Sequence, residues 1–277
     1  MNGSDLWHHG AVMSEQTYSN ICSDRWADPR VIFDGLTDDY DRYRPRYAEV
    51  SLKRLLKRTR ATDCVLDLGC GTGILTRAFK PLVNGLVVGA DPGSDMLEQA
   101  AVVSGSDGLM WLNCRAGKLS VTDHSLDRMT AAQAAHWLDR PVFYDECSLT
   151  LRPGGTLAIL YNNRVRGEPV CEAHETVLET YTPGYTREDR DFDVAMELSC
   201  LHDTSDVLVD REVWDWTLTF EKFIDYVRST SHYKIACQER SEDAAPKAYA
   251  DALGPLAQDD GTLNVPYETI VTSAKFD

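Results

Sequence analysis

The sequence predicts an α/β fold: a seven-stranded, mostly parallel sheet with helices on both faces and a helical lid inserted late in the chain. Three observations carry this. Short apolar runs alternate with stretches of helical periodicity from about residue 48 to residue 161. The runs are apolar at consecutive rather than alternate positions, so both faces of each strand are to be covered. With 43% hydrophobic and 26% charged residues in 277, the chain has the mix and size for one large α/β domain.

The first helix is expected over Ala48–Arg58, where Leu52, Leu55 and Leu56, with Val50 or Ser51, form a stripe at helical spacing. Cys64–Leu68 is a strand that ends in glycines, Ile74–Phe79 a helix stopped by Pro81, and Leu86–Ala90 a second strand ending at Asp91. Met96–Val102 is helical, Leu109–Leu112 the third strand, and Asp127–Ala132 a weaker fourth. Phe143–Leu151 reads as helix, Arg152-Pro-Gly-Gly155 as a turn, and Thr156–Tyr161 as the fifth strand.

Beyond Tyr161 the pattern loosens. Residues 164–207 hold charges, Pro183-Gly184 and helical fragments, an insertion over the sheet edge. Leu208–Thr219 is a strand leading into the helix Phe220–Arg228, a polar helix follows near 243–257, and Tyr267–Ser273 is the last strand. The expected division is a flexible leader at 1–30, a core at 31–163, a lid at 164–207 and completion of the sheet over 208–277.

Charge and cysteines narrow the function. With 44 acidic and 28 basic residues the net charge is -16, which repels phosphate backbones and anionic membranes over most of the surface. The basic group Lys53-Arg54, Lys57-Arg58 and Arg60 has the spacing of one solvated helix face. No run reaches the roughly 20 apolar residues that span a bilayer. The stretch from Met1 to Asn20, with Asp5, His8, His9 and Glu15, lacks a basic start and an apolar core, so no secretory signal is expected, and Met13 offers a second start. The cysteines at 22, 64, 70, 114, 147, 171, 200 and 237 form no Cys-x-x-Cys pair, which points to no metal and to a reducing, cytoplasmic setting. His8 and His9 are expected to be disordered rather than metal-binding.

The chemistry concentrates at Val65-Leu66-Asp67-Leu68-Gly69-Cys70-Gly71-Thr72-Gly73. Glycines at 69, 71 and 73 let the backbone turn tightly and approach a ligand. A dinucleotide fingerprint asks for a further glycine where this chain has Ile74, and Asp67 puts negative charge where a pyrophosphate would lie. Asp91 follows the second strand, 24 residues after Asp67, where a carboxylate accepts from both ribose hydroxyls. Two strands ending in carboxylates around a glycine loop suit a nucleoside whose other end is cationic. The bland alternative is an incidental turn with two helix-capping aspartates.

The stretch from about Phe33 to Tyr161 resembles the class I S-adenosylmethionine-dependent methyltransferases, with their Rossmann-like sheet, and is most similar to the small-molecule branch that includes trans-aconitate methyltransferase-like proteins. The matching pieces are Tyr40-Asp-Arg-Tyr-Arg44-Pro45-Arg-Tyr47, Asp67 to Gly73, Gly89-Ala-Asp91-Pro92 with Met96-Leu97, Ala131 to Asp139, and Leu151 to Ala158. The resemblance implies S-adenosyl-L-methionine as cofactor. Gly69, Gly71 and Gly73 then line the methionine part, Asp67 helps hold its amino group, Asp91 takes the ribose hydroxyls, and Cys70 and Pro92 complete the cofactor-binding set. Met96 lies against the adenine or simply in the core. Tyr40 and Arg44 belong to a cap segment, with Arg44 the cation for the methionine carboxylate. Ala116 aligns with the loop at the adenine edge, but the acid usual beside it is replaced by Gly117, which leaves main-chain contacts for that role. Gln133 lines the cofactor or the substrate.

Methyl transfer from a sulfonium is an in-line displacement, and it needs a base only if the acceptor must lose a proton. His136, at the end of the fourth strand, is the candidate catalytic base; the alternative is that it forms, with Trp137, the pocket wall. Tyr161, Asn162 and Asn163 follow the fifth strand as possible donors to the acceptor, and Arg164, Arg166, His174, Tyr181, Tyr185 and His202 equip the lid. A small-molecule O- or N-methyltransferase is thus the first expectation. A cofactor-binding biosynthetic cyclase and a vestigial binding subunit are the rivals, and a dehydrogenase fails on Ile74.

Overall fold

The computed structural model describes residues 37–277, except 58, 59, 61, 183, 188–191, 231, 234 and 237–243. The expected leader, Met13, His8, His9, Cys22, Cys237 and Arg58 lie outside the described residues. In chain order the elements are α1 (Thr37–Tyr43), α2 (Glu49–Leu55), β1 (Cys64–Leu68), α3 (Ile74–Phe79), β2 (Leu86–Asp91), α4 (Ser94–Val102), β3 (Met110–Asn113), β4 (Leu126–Ala132), a 3-10 turn (Ala135–Trp137), α5 (Arg140–Thr150), β5 (Leu151–Arg164), α6 (Pro169–Tyr181), α7 (Val194–Ser199), β6 (Thr204–Thr219), α8 (Phe220–Arg228), α9 (Ala244–Leu253) and β7 (Thr262–Phe276).

The seven strands form one sheet in the order β3-β2-β1-β4-β5-β7-β6. The first five pair in parallel, whereas β7 runs antiparallel between β5 and β6. Strand order reverses between β1 and β4, and a doubly wound sheet opens a crevice at that point, at the carboxyl ends of its strands. Four of the five residues of β1 are buried, as the unbroken apolar run requires. Leu66, Leu68, Met129, Phe143, Cys147, Leu157 and Ile159 pack one face of the sheet against α5, while Leu52, Val65, Leu75, Phe79, Val87 and Leu160 pack the other against α2 and α3. Each such side chain contributes about 1.5–3 kcal/mol by leaving water. Local signals set the ends: Asp139 caps α5 by accepting from the amide of Val142 (3.5 Å), and Thr219 caps α8 by accepting from Lys222 (3.3 Å).

The two halves of the sheet differ in length. Pairing of β5 with β7 ends at Arg164 opposite Tyr267, but β6 and β7 stay paired out to Thr219 opposite Thr262. This ribbon overhangs the carboxyl edge and carries a third core of Phe223, Tyr226, Val227, Tyr249, Leu253, Leu263, Val265 and Tyr267. The segment 164–207 is therefore divided. Its first helix, α6, buries Val170, Cys171 and Val177 in this third core, whereas α7 places Val194 and Leu198 in the core beneath α5.

Several boundaries move. The first helix stops at Leu55, and strand β5 begins at Leu151, so the expected turn at Arg152–Gly155 is a bulge within a strand. There the register jumps from Leu126 opposite Leu151 to Arg128 opposite Thr156. Gly154, with φ 79°, absorbs the extra residues. No helix among the described residues is long and apolar enough to cross a membrane.

Candidate cofactor and acceptor site

The glycine loop closes the end of β1 onto β2: the amides of Gly69 and Cys70 both donate to the carbonyl of Ala90 (2.8 and 3.0 Å). Gly69, Gly71 and Gly73 have φ of 69°, 53° and 81°, the left-handed region where a side chain is strained. A Cβ on Gly69 would meet Ala134 at 2.6 Å, and one on Gly73 would enter the Trp111 ring at 2.4 Å. Gly71 is different. Its Cβ would find no described heavy atom nearer than the Tyr40 ring at 4.0 Å, so this part of the loop faces the crevice beneath Tyr40.

Both aspartates are held at the loop. The Asp91 carboxylate accepts from the amides of Gly71 (2.9 Å) and Gly93 (2.8 Å), and burial raises its pKa above the ordinary carboxylate range against those two bonds. Asp67 is 1% exposed and accepts from the hydroxyls of Thr76 (2.7 Å) and Thr130 (2.9 Å). Burial pushes its pKa up to about 6, and the Asp91 charge adds to that, while the two hydroxyls work in the other direction. Both carboxylates are thus short of positive charge, which is what a ligand with an ammonium and a sulfonium brings.

A cap crosses this loop. Asp41 on α1 pairs with Arg77 of α3 and accepts from the Thr72 hydroxyl (3.1 Å), fastening α1 to the glycine loop. The Arg44 guanidinium lies 4.3 Å over the Tyr40 ring and donates to the carbonyl of Ser229 (3.4 Å). Its Nε is buried with no hydrogen-bond partner among the described residues, the kind of donor that a bound anion satisfies. Tyr47 lies close enough to Tyr40, Asp67, Arg44 and Tyr161 to feel their charges, and burial pushes its hydroxyl pKa up. Tyr47 stands 20 residues before Asp67 in the sequence, and only the fold brings the two together.

On the flank, Met96 is buried at the start of α4, its Cγ 3.4 Å from a Cβ placed on Gly93, and Pro92 lies between that glycine and Asp91. Cys70 has its thiol pKa raised by burial and sits against Gly89, where an added Cβ would meet its Sγ at 2.9 Å. Ala116 is in the loop after β3, where the amides of Gly117 and Leu119 donate to the Glu146 carboxylate of α5 (2.7 Å each). A carboxylate from a distant helix thus fastens the loop that lacks its own acid. Gln133 adopts φ 53°, donates from Nε2 to the carbonyl of Asn162 (2.9 Å), and leaves its buried Oε1 without a partner among the described residues.

His136 is in the 3-10 turn after β4, its ring 5.0 Å from that of Trp137 and 6.0 Å from that of Tyr161. Phe192 meets Tyr161 edge-on at 5.7 Å, and Arg140 lies 4.4 Å over Phe192 while its Nε donates to both carboxylate oxygens of Glu197 (3.1 and 2.8 Å). An aromatic wall thus borders the end of β4. Sequence spacing gave no sign of Phe192, which arrives from 31 residues beyond Tyr161.

Other expected acceptor groups are used elsewhere. Asn162 is buried, with its amide donating to the carbonyl of Arg46 (3.0 Å) and accepting from Thr269 (2.6 Å). Arg164 ends β5 and binds Glu175 (2.8 Å) and the Tyr226 hydroxyl (3.2 Å). His174 is 2% exposed, stacked on Tyr249 at 5.2 Å, and burial lowers its pKa well below the usual histidine value. Arg164 and His174 thus find their partners at the third core, whereas the Asn162 side chain ties β5 to Arg46 and to β7.

The methyltransferase domain family matches residues 66–159. The chain is 31% identical over 260 residues to an uncharacterized methyltransferase of Mycobacterium tuberculosis, covering 91% of this chain and 98% of that protein. Over 128 residues, 44% of each chain, it is 30% identical to a protein of Saccharomyces cerevisiae named as an S-adenosylmethionine-dependent methyltransferase. The fold matches a solved structure assigned as a type II methyltransferase of Anaeromyxobacter dehalogenans, with TM-score 0.62 and 20% identity over 83% of this chain and 97% of that one. With its strand order, glycine loop and paired aspartates, this chain belongs to the class I S-adenosylmethionine-dependent methyltransferases.

Proposed function

We propose that the methyl group goes to an oxygen or nitrogen of a small cytoplasmic metabolite or natural product, not to a nucleic acid, and that residues 164–207 act as its lid. One observation carries this reading: the aromatic wall of His136, Trp137, Tyr161 and Phe192 stands at the end of β4, beside the strand that holds Asp67. The net charge of -16 supports the exclusion of polyanions.

The donor supplies an electrophilic methyl carbon on a sulfonium that leaves as a neutral thioether. Gly69, Cys70, Gly71 and Gly73 would hold its methionine part, Asp67 its amino group, Arg44 its carboxylate through the orphaned Nε, and Asp91 with Pro92 its ribose. Tyr40 closes over the loop and excludes water. Met96, Ala116 and Gln133 line the flanks. The aromatic wall orients the acceptor in line, and His136 takes the proton of a hydroxyl acceptor; for a carboxylate acceptor it serves only as wall.

Calorimetry with the donor tests the cofactor assignments. Asp91→Ala should weaken donor affinity by about 1–3 kcal/mol, while an unchanged affinity rejects the ribose contact. Incubation with labelled donor and small-molecule extract then identifies the acceptor. Donor binding without labelled product on any extract would favour a cyclase over methyl transfer.

A further inference from the structure

A second cavity, of 430 Å³, opens between the end of α1, the overhanging stretch of β6 and the start of α8. Its lining includes Arg42, Arg44, Arg46 and Lys222 together with Trp214 and Trp216. We infer that this groove binds a small planar molecule carrying a carboxylate or phosphate. This goes beyond the methyl-transfer site, with which it shares Arg44.

The charge argument comes first. On a chain of net charge -16, four cationic side chains converge on one recess. Asp41, which meets Arg46 at 3.8 Å, is also the partner of Arg77. Arg42, Arg46 and Lys222 are exposed, and Arg44 is half-buried. Guanidinium and ammonium groups make their strongest hydrogen bonds to carboxylate and phosphate oxygens.

The walls set the rest of the ligand. Trp214 is fixed by its Nε1 donating to Thr269 (2.9 Å) and by stacking on Tyr267 at 5.5 Å and 23°. Trp216 is fixed edge-on against Tyr226 at 5.1 Å and 88°. Both indoles are already held in place, so a flat ring would meet them without ordering them first. The cavity volume falls within the roughly 300–1,000 Å³ of small-molecule sites.

Calorimetry on the full chain with phenyl phosphate, benzoate, inorganic phosphate and phenol tests this. Phenyl phosphate or benzoate should bind at least about tenfold more tightly than both inorganic phosphate and phenol, because only the aryl anions use both charge and ring. Arg42→Ala and Lys222→Ala, both exposed, should each weaken that binding about 5-fold and leave donor affinity unchanged. Trp216→Leu should abolish the preference for the aryl compounds. Absence of binding, equal binding of inorganic phosphate, or affinity unmoved by both charge variants overturns the groove, and the last would mark a solvated basic patch. Donor calorimetry on the same samples reports the methyl-donor site separately, so failure of either reading shows by itself.

Discussion

The two halves of the sheet solve different problems. Strands β3, β2, β1 and β4 have 4 to 7 residues and stop at the crevice proposed for the cofactor, so their ends and loops supply the glycines and the aspartates. Strands β5, β7 and β6 have 14 to 16 residues and run past that edge, and their overhang carries a further core instead of the glycines and aspartates. Strong polar groups in the short half point to a ligand; in the long half they are consumed by one another. The contrast teaches that a charged residue at a strand end is informative only where the strand stops.

The largest effect should come from breaking the long half. The Glu175 carboxylate accepts from Arg164 (2.8 Å) and from the Tyr185 hydroxyl (2.5 Å). Burial alone would raise its pKa, yet the Arg164 guanidinium and Tyr185 outweigh that and hold it below the usual range. Glu175→Ala leaves the arginine buried without its counter-charge and should cost about 3–5 kcal/mol in denaturant unfolding at neutral pH. A loss under about 1 kcal/mol would mean that the overhang does not depend on this pair.

In the short half, the glycines separate fold from ligand. Gly73→Ala combines a left-handed φ with a Cβ inside the Trp111 ring, and should destabilise by about 2–4 kcal/mol. Gly71→Ala faces the space beneath Tyr40 and should cost only about 1 kcal/mol of stability while weakening donor affinity tenfold or more. Equal stability losses for the two variants would erase the distinction between a packed and a ligand-facing part of the loop.

Asp67 couples stability to ligand binding through pH. Its pKa in the folded protein, about 6, lies above its ordinary value of 3.8. The folded state therefore binds the extra proton between those values, and the stability of the neutral form is fully present below about 4 and lost as pH rises through 6. Relative to Asp67→Asn, the wild type should lose roughly 2–3 kcal/mol between pH 4 and 7. Saturating donor should shrink that loss, since a bound cation lowers the pKa and its binding releases a proton. A donor affinity independent of pH between 5 and 7 would separate Asp67 from the ligand.

How much was legible in the sequence follows the same division. The helix Ile74–Phe79, the glycine loop and both aspartates were readable because their causes are local: apolar runs, missing side chains, a strand ending in an acid. The uses of Arg164, His174 and Asn162 were not, because their partners lie 11 to 116 residues away, at Glu175, Tyr226, Tyr249, Thr269 and Arg46. Phe192 and Glu146 escaped for the same reason. Each reaches the site on a helix or loop whose own pattern explains only its packing.

The smallest expected effect concerns the residue at the junction between short β4 and long β5. Gln133 keeps a left-handed backbone that favours glycine, and its Oε1 is buried without a partner among the described residues. Such strain costs about 1–3 kcal/mol and persists where surroundings impose it, most often at functional sites. Gln133→Gly relieves the strain but gives up the bond from Nε2 to the Asn162 carbonyl (2.9 Å), worth about 1 kcal/mol, so unfolding stability should move by less than about 1 kcal/mol either way. If the orphaned Oε1 instead serves a bound ligand, the same variant should lose donor or acceptor affinity by about tenfold at unchanged stability. A gain in stability with no loss of affinity would show that the strain answers only to the packing of Ala134 against Gly69, and that the junction belongs to the fold alone.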